Sequence, residues 1–414
     1  MSVPAAPTFP PAPKTVVALE GTTFHGPEAM TGIGRYVRNM ARCLARIHAD
    51  EGTRLIVTLG RLAHAPLLAA TVANDVHAHL FQPLIPGRPS DRPARQVGYR
   101  ETPEALEDDL VARGATVYFD PNPFAMYKSF FAPRLLGHAA MIHDLVPLSF
   151  RSAYLDRWPD PLKAEYMRRL LHLAEKADVL FFPSHASAEE FHRHVRPRAG
   201  MTLCVTGEGV DPVFLASKTE MEAYGHIPAN GRPFMLMVSN LTDRRKNLGF
   251  TLTAYHHFLR LAAPTRHAGM GLEIVMPSDA LIDQAQAHCR ALGIAGQVRF
   301  RIAVSDDSLC RLYHDAALLV CPSAAEGFGL PVIEALACGT PVLSSSRTGL
   351  AELQCDGWIM PADLSSELAL AEGMLRAVDR PRGDPEAARR YVARFDWNEV
   401  ARRTYGALSA ARRS

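Results

Sequence analysis

Short apolar segments rich in β-branched residues alternate with longer helical segments along most of the chain, and this alternation restricts the fold more than any other feature. Apolar residues at successive positions are typical of parallel strands that are covered on both faces. The helical segments between them provide the crossovers, so the sequence predicts an α/β protein. In the first half, strands are predicted at 15–19, 55–59, 117–119, 139–142 and 179–182, and helices near 33–48, 103–113, 161–176 and 185–195.

The alternation is interrupted by a polar, irregular stretch after Asp211-Pro212 and then restarts. We therefore predict two Rossmann-like, doubly wound parallel-sheet domains, residues 14–213 and 214–396, which face each other across a cleft. Ligands of such sheets bind beyond the carboxyl ends of the strands, so the cleft is the expected binding site. The C-terminal helix, about 397–414, can pack on either domain. The proline- and alanine-rich residues 1–13 are predicted to be a disordered leader.

Composition excludes several classes of protein. The formal net charge of +2 gives no support for nucleic-acid binding. No apolar run approaches the roughly 18–20 residues of a membrane-spanning helix, and the N-terminus lacks the pattern of a secretory signal. Seven cysteines without C-x-x-C spacing favour reduced core thiols in the cytoplasm over a disulfide framework or a zinc site.

The segment Pro322–Pro341, PSAAEGFGLPVIEALACGTP, holds two glutamates around a glycine-rich turn. Pro331 is predicted to open a helix and Gly339 to end it, which puts Glu326 in the preceding loop and Glu334 in the first turn. Free amides at a helix N-terminus suit anionic oxygens, and carboxylates suit pairs of hydroxyls. An ordinary turn with solvated acids is the alternative. The combined pattern favours a site for an anionic, polyhydroxylated ligand.

A second charged segment, RRKN, follows the first predicted strand of the second domain. Arg245 and Lys246 are expected at the carboxyl end of that strand, with Asn247 as the cap of the next helix. Charge-assisted hydrogen bonds from such cations to phosphate oxygens contribute roughly 1.5–3 kcal/mol each. A solvated basic turn is the alternative, but the position at the cleft favours phosphate binding.

In the first domain, the residues TGIGRY open a helix. Gly32 and Gly34 allow a ligand to approach the backbone at the helix N-terminus. Val37 stands where the dinucleotide pattern G-x-G-x-x-G needs its third glycine, so a nicotinamide cofactor is poorly supported. Four arginines recur along the same helix at three- and four-residue steps: Arg35, Arg38, Arg42 and Arg46. The main interpretation is a polar face of the helix that is exposed to water. The alternative is that these arginines attract anionic lipid.

His143 and Asp144 follow the predicted strand that ends at Ile142. They are expected at the cleft edge of the first domain, opposite the charged segments of the second domain. A purely structural role is the alternative, in which Asp144 hydrogen-bonds within the turn.

Together these segments resemble the retaining GT-B glycosyltransferases of family 4, and more loosely the bacterial mannosyltransferase-like members. The resemblance covers nearly all of the chain after Lys14. The two-glutamate segment is its most specific part. The segments that carry the resemblance are GIGRYVRNM, IHDLVPL, PSHAS, GEGVDPVF, RRKN and EGFGLPVIEALACGTPV.

The resemblance implies that a nucleoside-diphosphate sugar, the donor, binds mainly to the second domain, and that the first domain is the acceptor side. Glu334 would hold the ribose hydroxyls and Glu326 a sugar hydroxyl. Asn240 stands where many members have an arginine, so Arg244 or Arg245 would do the work of that arginine here. Three backbone amides would complete the sugar pocket: those of Phe328, Gly329 and Leu330.

Arg245 and Lys246 would hold the diphosphate, with help across the cleft from Gly32, Ile33 and Gly34. His143 would lie against the donor sugar near its anomeric carbon. The catalytic set implied by the resemblance is His143, Glu326, Lys246 and Arg245. Candidates on the acceptor side are Asp144, Tyr127, Phe130, Phe131 and Arg134, although a loop that packs its aromatic residues inward explains the last four equally well.

The implied reaction retains the anomeric configuration and needs neither metal nor cofactor. Mannose from GDP-mannose would pass to an oligosaccharide or lipid-linked glycan in bacterial surface polysaccharide synthesis. The enzyme would be cytoplasmic, with peripheral contact to anionic lipid on the inner face of the cytoplasmic membrane. The alternatives are a UDP- or dTDP-sugar donor, a non-catalytic nucleotide-sugar-binding subunit, and a phosphorylase or epimerase on the same architecture.

Overall fold

The computed structural model of this chain describes residues 14–24, 31–59, 77–80, 102–128, 130–216, 232–240 and 243–411. The predicted leader, residues 1–13, and most of the predicted domain junction lie outside these residues.

The first sheet has seven parallel strands in the order β3-β2-β1-β4-β5-β6-β7. The strand order reverses beside β1, which pairs with both β2 and β4, as in a doubly wound sheet. Its strands are β1 Val17–Glu20, β2 Ile56–Leu59, β3 His77–Leu80, β4 Val117–Asp120, β5 Gly137–Met141, β6 Val179–Phe182 and β7 Thr202–Val205.

The second sheet repeats this plan with six parallel strands in the order β10-β9-β8-β11-β12-β13. The predicted α/β fold with two Rossmann-like domains is therefore confirmed. Its strands are β8 Phe234–Val238, β9 Gly271–Met276, β10 Val298–Ile302, β11 Leu318–Cys321, β12 Val342–Ser344 and β13 Ile359–Pro361.

The helices cover both faces of the sheets, and the strands β1, β4, β5, β6, β11 and β12 are buried along their whole length. Among the described residues, none of the helices is long and apolar enough to cross a membrane. In the first half they are α1 Gly32–Asp50, α2 Pro103–Ala112, α3 Val146–Ser149, α4 Asp160–Lys176 and α5 His185–His194. In the second half they are α6 Leu248–Ala262, α7 Ile282–Ala291, α8 Asp306–Asp315, α9 Leu330–Ala337, α10 Glu367–Asp379, α11 Pro385–Val392 and α12 Trp397–Ala410.

The last helix, α12, returns to the first domain and packs against α1. Trp397 and Val400 are buried in the same apolar cluster as the α1 residues Tyr36 and Met40. The Tyr405 hydroxyl donates a hydrogen bond of 3.2 Å to the carbonyl oxygen of Thr15. The chain therefore passes between the two domains twice, once at the domain junction and once before α12.

The two domains touch where Gly327 meets the end of β5. A Cβ atom on Gly327 would lie 2.0 Å from the carbonyl oxygen of His143, so only glycine permits this approach. The Ser184 hydroxyl donates a 2.6 Å hydrogen bond to the Gly327 carbonyl oxygen. Glu352 accepts hydrogen bonds of 3.2 and 2.7 Å from the amides of His185 and Ala186, at the N-terminus of α5. These contacts join the two domains.

Candidate functional site

A cavity of about 330 Å³ lies in the cleft, at the carboxyl ends of strands from both sheets. This volume is within the range of pockets that bind small molecules. Its lining from the first domain includes Thr31, Gly32, Ile33, Arg35, Arg38, His143, Asp144 and Glu208. Its lining from the second domain includes Val238, Ser239, Asn240, Asp243, Arg245, Lys246, Val275, Met276, Pro277, Asp306, Glu326, Gly327, Phe328, Gly329, Leu330 and Glu334.

The helix α9 begins one residue earlier than the sequence predicts. Leu330 is its first residue and Gly329 its N-cap, so Pro331 is second and Glu334 lies beyond the first turn. Gly329 has a φ of +113°, a conformation that L side chains rarely adopt, and a Cβ there would lie 2.5 Å from Leu350 Cδ2. The glycine therefore allows the sharp turn that brings both Glu326 and Glu334 to the cavity.

Glu326 lies in a cluster with two cations. Lys246 Nζ is 2.6 Å from Glu326 Oε1, and Arg245 Nη1 is 4.0 Å from Glu326 Oε2. Arg245 Nη1 also reaches across the cleft to Asp144 Oδ2 at 2.8 Å. Burial alone would raise the pKa of Glu326, but Lys246 and then Arg245 hold it below its usual value. Glu326 is therefore a stable carboxylate in this structure.

The turn that carries these cations is fixed from the first domain. The Tyr154 hydroxyl donates to Asp243 Oδ1 at 2.6 Å and accepts from the Arg245 amide at 2.8 Å. Asn247 occupies the N-cap position of α6, but its side chain makes no capping hydrogen bond, contrary to the prediction. Its backbone is left-handed, with φ of 54°, and Nδ2 donates instead to the Pro322 carbonyl oxygen at 2.8 Å. Asn247 thereby ties the basic turn to the start of the two-glutamate segment.

Glu334 lies in a second cluster, around one cation from the first domain. The Arg35 guanidinium contacts Glu334 Oε1, and its other nitrogens lie 2.5 Å from Asp306 Oδ1 and 3.7 Å from Asp211 Oδ2. The Tyr313 hydroxyl donates to Glu334 Oε2 at 3.0 Å. Burial raises the pKa of Glu334, and Arg35 opposes this only in part.

Arg35 corrects the prediction of a solvated arginine face on α1. Its side chain is buried and its guanidinium lies 5.1 Å from the centroid of the Phe214 ring. Arg38 and Arg42 are half-buried, and Arg46 is exposed. The three-to-four-residue spacing places the arginines on one side of the helix. In the first turn of the helix, however, this side faces the second domain instead of water.

His143 is held by groups of the first domain. Its Nε2 atom is 3.0 Å from the Pro121 carbonyl oxygen, and its Nδ1 atom is 3.4 Å from Glu208 Oε1. The Tyr36 ring packs edge-on against it, with the centroids 5.0 Å apart. Since both ring nitrogens face acceptors, the ring has a fixed orientation at the edge of the cavity.

The structure separates the predicted acceptor residues from one another. Asp144 lines the cavity, whereas the Tyr127 hydroxyl lies 3.4 Å from Thr23 Oγ1 outside the lining. Arg134 precedes β5, so it lies at the amino edge of the sheet, 3.6 Å from Glu104 and away from the cleft. Phe131 is buried, its ring centroid 4.7 Å from that of Tyr118. The inward-packed loop is the better interpretation for Phe131, and Arg134 is not brought to the site.

The other predicted donor residues line the cavity, with the exception of Gly34, which is buried within α1. The sequence predictions gave no role in the site to several residues that hold it together. Glu208 and Asp211 belong to the quoted segment GEGVDPVF, and Arg35 belongs to GIGRYVRNM, where a solvated face was predicted. The others belong to elements without a recognised motif: Tyr154, Asp306 and Tyr313.

Comparison with known proteins gives consistent results. Residues 224–393 match the family described as Glycosyl transferases group 1. D-inositol 3-phosphate glycosyltransferase 2 of Catenulispora acidiphila is 39% identical over 119 residues, 28% of this chain and 28% of that protein. The serotype-specific mannosyltransferase WbdA of Escherichia coli is 28% identical over 220 residues, 52% of this chain and 26% of that protein. The structure of Anabaena Alr3699/HepE in complex with UDP-glucose has a TM-score of 0.67 at 16% identity and covers 96% of this chain and 100% of that chain.

These comparisons differ in what they cover. The chain spans only about a quarter of the length of the two curated relatives. The structural likeness, at low identity, concerns the fold, which is GT-B. The family match covers the second domain and includes Lys246, Glu326 and Glu334.

Proposed function

We propose that this chain, which carries a Glycosyl transferases group 1 domain over residues 224–393, is a retaining glycosyltransferase that moves a hexose from a nucleoside diphosphate to a glycan. One observation carries the proposal. Lys246, Arg245 and Glu326 of the second domain meet His143 and Asp144 of the first domain around one cavity. Cations, a carboxylate and helix amides are thereby combined at one place, as transfer from a sugar diphosphate requires.

The diphosphate of the donor is assigned to Lys246 and Arg245. Ammonium and guanidinium groups have several N–H donors each, so both side chains have donors beyond those directed at Glu326 and Asp144. The N-terminus of α1, with Gly32 and Ile33, faces the same cavity and adds its free amides. Negative charge grows on the diphosphate as the glycosidic bond breaks. Fixed donors at that position are worth about 2.7–4 kcal/mol of activation free energy each.

The sugar is assigned to the Gly-rich turn and Glu326. Glu326 is ionised and paired with Lys246, which suits a carboxylate that accepts from a sugar hydroxyl more than it suits a nucleophile. We therefore assign retention to attack of the acceptor on the face that the diphosphate leaves, with the leaving phosphate taking the acceptor proton. The anomeric carbon would lie against His143. The charge is carried by Lys246 and Arg245, so the reaction is proposed to need no metal.

The ribose is assigned to Glu334. Its carboxylate lies at the other end of the cavity lining, and its pairing with Arg35 and Tyr313 fixes its orientation. Of the possible donors, we favour GDP-mannose. The segments GIGRY and RRKN and the mannosyltransferase relative from Escherichia coli support this choice. The UDP-glucose complex of the Anabaena structure supports a UDP-sugar as the alternative.

The acceptor is proposed to be an oligosaccharide or a lipid-linked glycan of bacterial surface polysaccharide, used at the inner face of the cytoplasmic membrane. The half-exposed Arg42 and exposed Arg46 on α1 support contact with anionic lipid, at roughly 1 kcal/mol each. Co-sedimentation with vesicles containing phosphatidylglycerol should decrease in the double variant Arg42→Glu/Arg46→Glu. Equal co-sedimentation of the variant and the wild type would contradict the membrane part of the proposal.

The donor proposal is tested by calorimetric titration of GDP, UDP, ADP and dTDP into protein without added magnesium or manganese. We expect GDP to bind most tightly, and Lys246→Ala to weaken binding at least tenfold. The matched control is Arg244→Ala, because Arg244 is the exposed residue of the same turn.

The other outcomes are informative. A preference for UDP or dTDP would support the proposed glycosyltransferase activity but contradict GDP-mannose as the donor. Binding of a nucleotide sugar without turnover against a broad panel of glycans would favour a non-catalytic subunit. Folded protein that binds none of the nucleotides would contradict the proposed function.

A further inference from the structure

Three groups that bind soft metal ions converge in the second domain, behind the wall of the cavity. They are the thiols of Cys310 and Cys338 and the imidazole of His314, and their ligand atoms all lie within 4.8 Å of one another. Cys310 and His314 are one helical turn apart on α8, so they share a face of that helix. Cys338 follows the last residue of α9. Both thiols are buried and the imidazole is half-buried.

The spacing of the sulfurs is that of a tetrahedral zinc site. The two Sγ atoms are 3.7 Å apart. Zinc holds thiolates at about 2.3 Å, so two sulfurs on one tetrahedral ion are roughly 3.8 Å apart. A sulfur and a nitrogen on the same ion are roughly 3.6 Å apart, so the imidazole needs to approach by no more than about one ångström.

Carbonyl groups of the turn Pro212–Leu215 and the residue after it surround the three ligands. His314 Nε2 lies 3.1 Å from the Ala216 oxygen, the kind of hydrogen bond that orients a metal-binding imidazole. The oxygen of Val213 is 3.2 Å from Cys310 Sγ, and that of Phe214 is 3.6 Å from Cys338 Sγ. An oxygen ligand, from this turn or from water, can therefore complete the tetrahedron.

Zinc binds cysteine as the thiolate and histidine as the neutral imidazole, so binding at this set would release thiol protons. A Cys₂His set is borderline-soft and suits Zn²⁺ better than Mg²⁺ or Ca²⁺.

We propose that Cys310, His314 and Cys338 bind one structural Zn²⁺ ion. The ion would join α8, α9 and the turn at Pro212, all of which support the Glu334 cluster. Asp211 precedes that turn, Asp306 and Tyr313 lie on α8, and Glu334 lies on α9. It would stabilise the elements that carry the Glu334 cluster and would take no part in the proposed transfer, which needs no metal. The inference therefore stands or fails separately from the proposed function.

The site is missed by sequence inspection because Cys310 and Cys338 are 28 positions apart. The signal that was present is the pair Cys310 and His314 at a four-residue spacing on a helical segment. Without knowledge of the fold, nothing indicates that Cys338 completes the set.

The experiment measures metal content of the full-length protein produced with zinc supplied. We expect about one zinc per chain in the wild type and at least a tenfold lower content in His314→Ala and Cys338→Ser. Cys289→Ser is the matched control, because Cys289 is a buried thiol of the same domain outside the cluster. Titration of the metal-free wild type with Co²⁺ should give a thiolate-to-metal charge-transfer band, which tests the site even where a variant fails to fold.

Three outcomes would overturn the proposal. The first is wild-type protein without zinc and without the Co²⁺ band. The second is an equal zinc content in the cluster variants and in Cys289→Ser. The third is wild-type protein that shows five titratable thiols instead of seven when it is denatured with a chelator present, while the double variant Cys310→Ser/Cys338→Ser also shows five. This result would identify Cys310 and Cys338 as a disulfide-forming pair instead.

Discussion

The two glutamates of the segment 322–341 lie in opposite electrostatic settings. Both are buried and both contact a cation. Glu326 has two cations, Lys246 and Arg245, and its pKa is lowered in spite of burial. Glu334 has one, Arg35, which it shares with Asp306 and Asp211, and burial raises its pKa.

This difference separates two tasks within one cavity. The Glu326 cluster holds two cations next to an ionised carboxylate, which suits a diphosphate and a sugar hydroxyl. The Glu334 cluster is rich in acceptors and poor in cations, which suits a ribose with two hydroxyl donors and no charge. The four experiments below test whether the clusters differ in this way.

The largest effect is expected for Lys246→Ala. It removes the cation nearest to Glu326 and a proposed stabiliser of the leaving diphosphate. Turnover should fall about 10²- to 10³-fold, which corresponds to roughly 2.7–4 kcal/mol of activation free energy. The measurement is the rate of nucleoside diphosphate release with donor and acceptor present. Arg244→Ala should retain wild-type turnover, and an equal loss in Arg244→Ala would indicate a general effect of the turn.

A smaller effect is expected on stability, and it should separate Glu326→Gln from Glu334→Gln. The first change leaves Lys246 without the carboxylate that it pairs with, at a cost of about 1–3 kcal/mol in the free energy of unfolding. The second change removes a charge that burial disfavours and leaves Asp306 and Asp211 to pair with Arg35. Its cost should be below about 1 kcal/mol. Urea unfolding at neutral pH measures both, and equal costs would remove the distinction between the clusters.

The smallest effect is on pH dependence, where the two variants should have opposite slopes. Because the folded pKa of Glu326 is below its usual 4.5, Glu326 contributes stability above pH 4.5 that is lost as the pH falls through the folded pKa. The folded pKa of Glu334 is raised, so its contribution is present below 4.5 and is lost as the pH rises through the folded value. The free energy of unfolding of the wild type minus that of each variant, measured between about pH 3 and 7, gives these slopes. Parallel profiles would contradict the assigned pKa directions.

Much of the fold was predictable because parallel α/β proteins have buried, continuously apolar strands. β3, β7 and β13 were not predicted. β3 is His-Ala-His-Leu, β7 is partly exposed, and β13 has only three residues and ends in a proline. Such segments form strands because they pair with a neighbouring strand. The local sequence of the segment does not indicate that neighbour.

The site was predictable where its residues are contiguous. Glu326, the Gly-Phe-Gly turn and Glu334 occupy one segment, and Arg245 and Lys246 another. The partners of these residues come from distant positions: Arg35 is 299 residues from Glu334, and Asp144 is 101 residues from Arg245. The periodicity of α1 correctly separates polar from apolar positions. It does not indicate that the polar position Arg35 is covered by a second domain.

The most direct test of the division between the two clusters is a calorimetric comparison of the preferred nucleoside diphosphate with its 2′-deoxy analogue. Wild type should bind the ribose form about tenfold more tightly. This difference in affinity corresponds to the free energy of one or two hydrogen bonds to a carboxylate. Glu334→Gln should lose this preference, whereas Lys246→Ala should bind both forms weakly and keep it. A preference that survives in Glu334→Gln and disappears in Lys246→Ala would contradict the account.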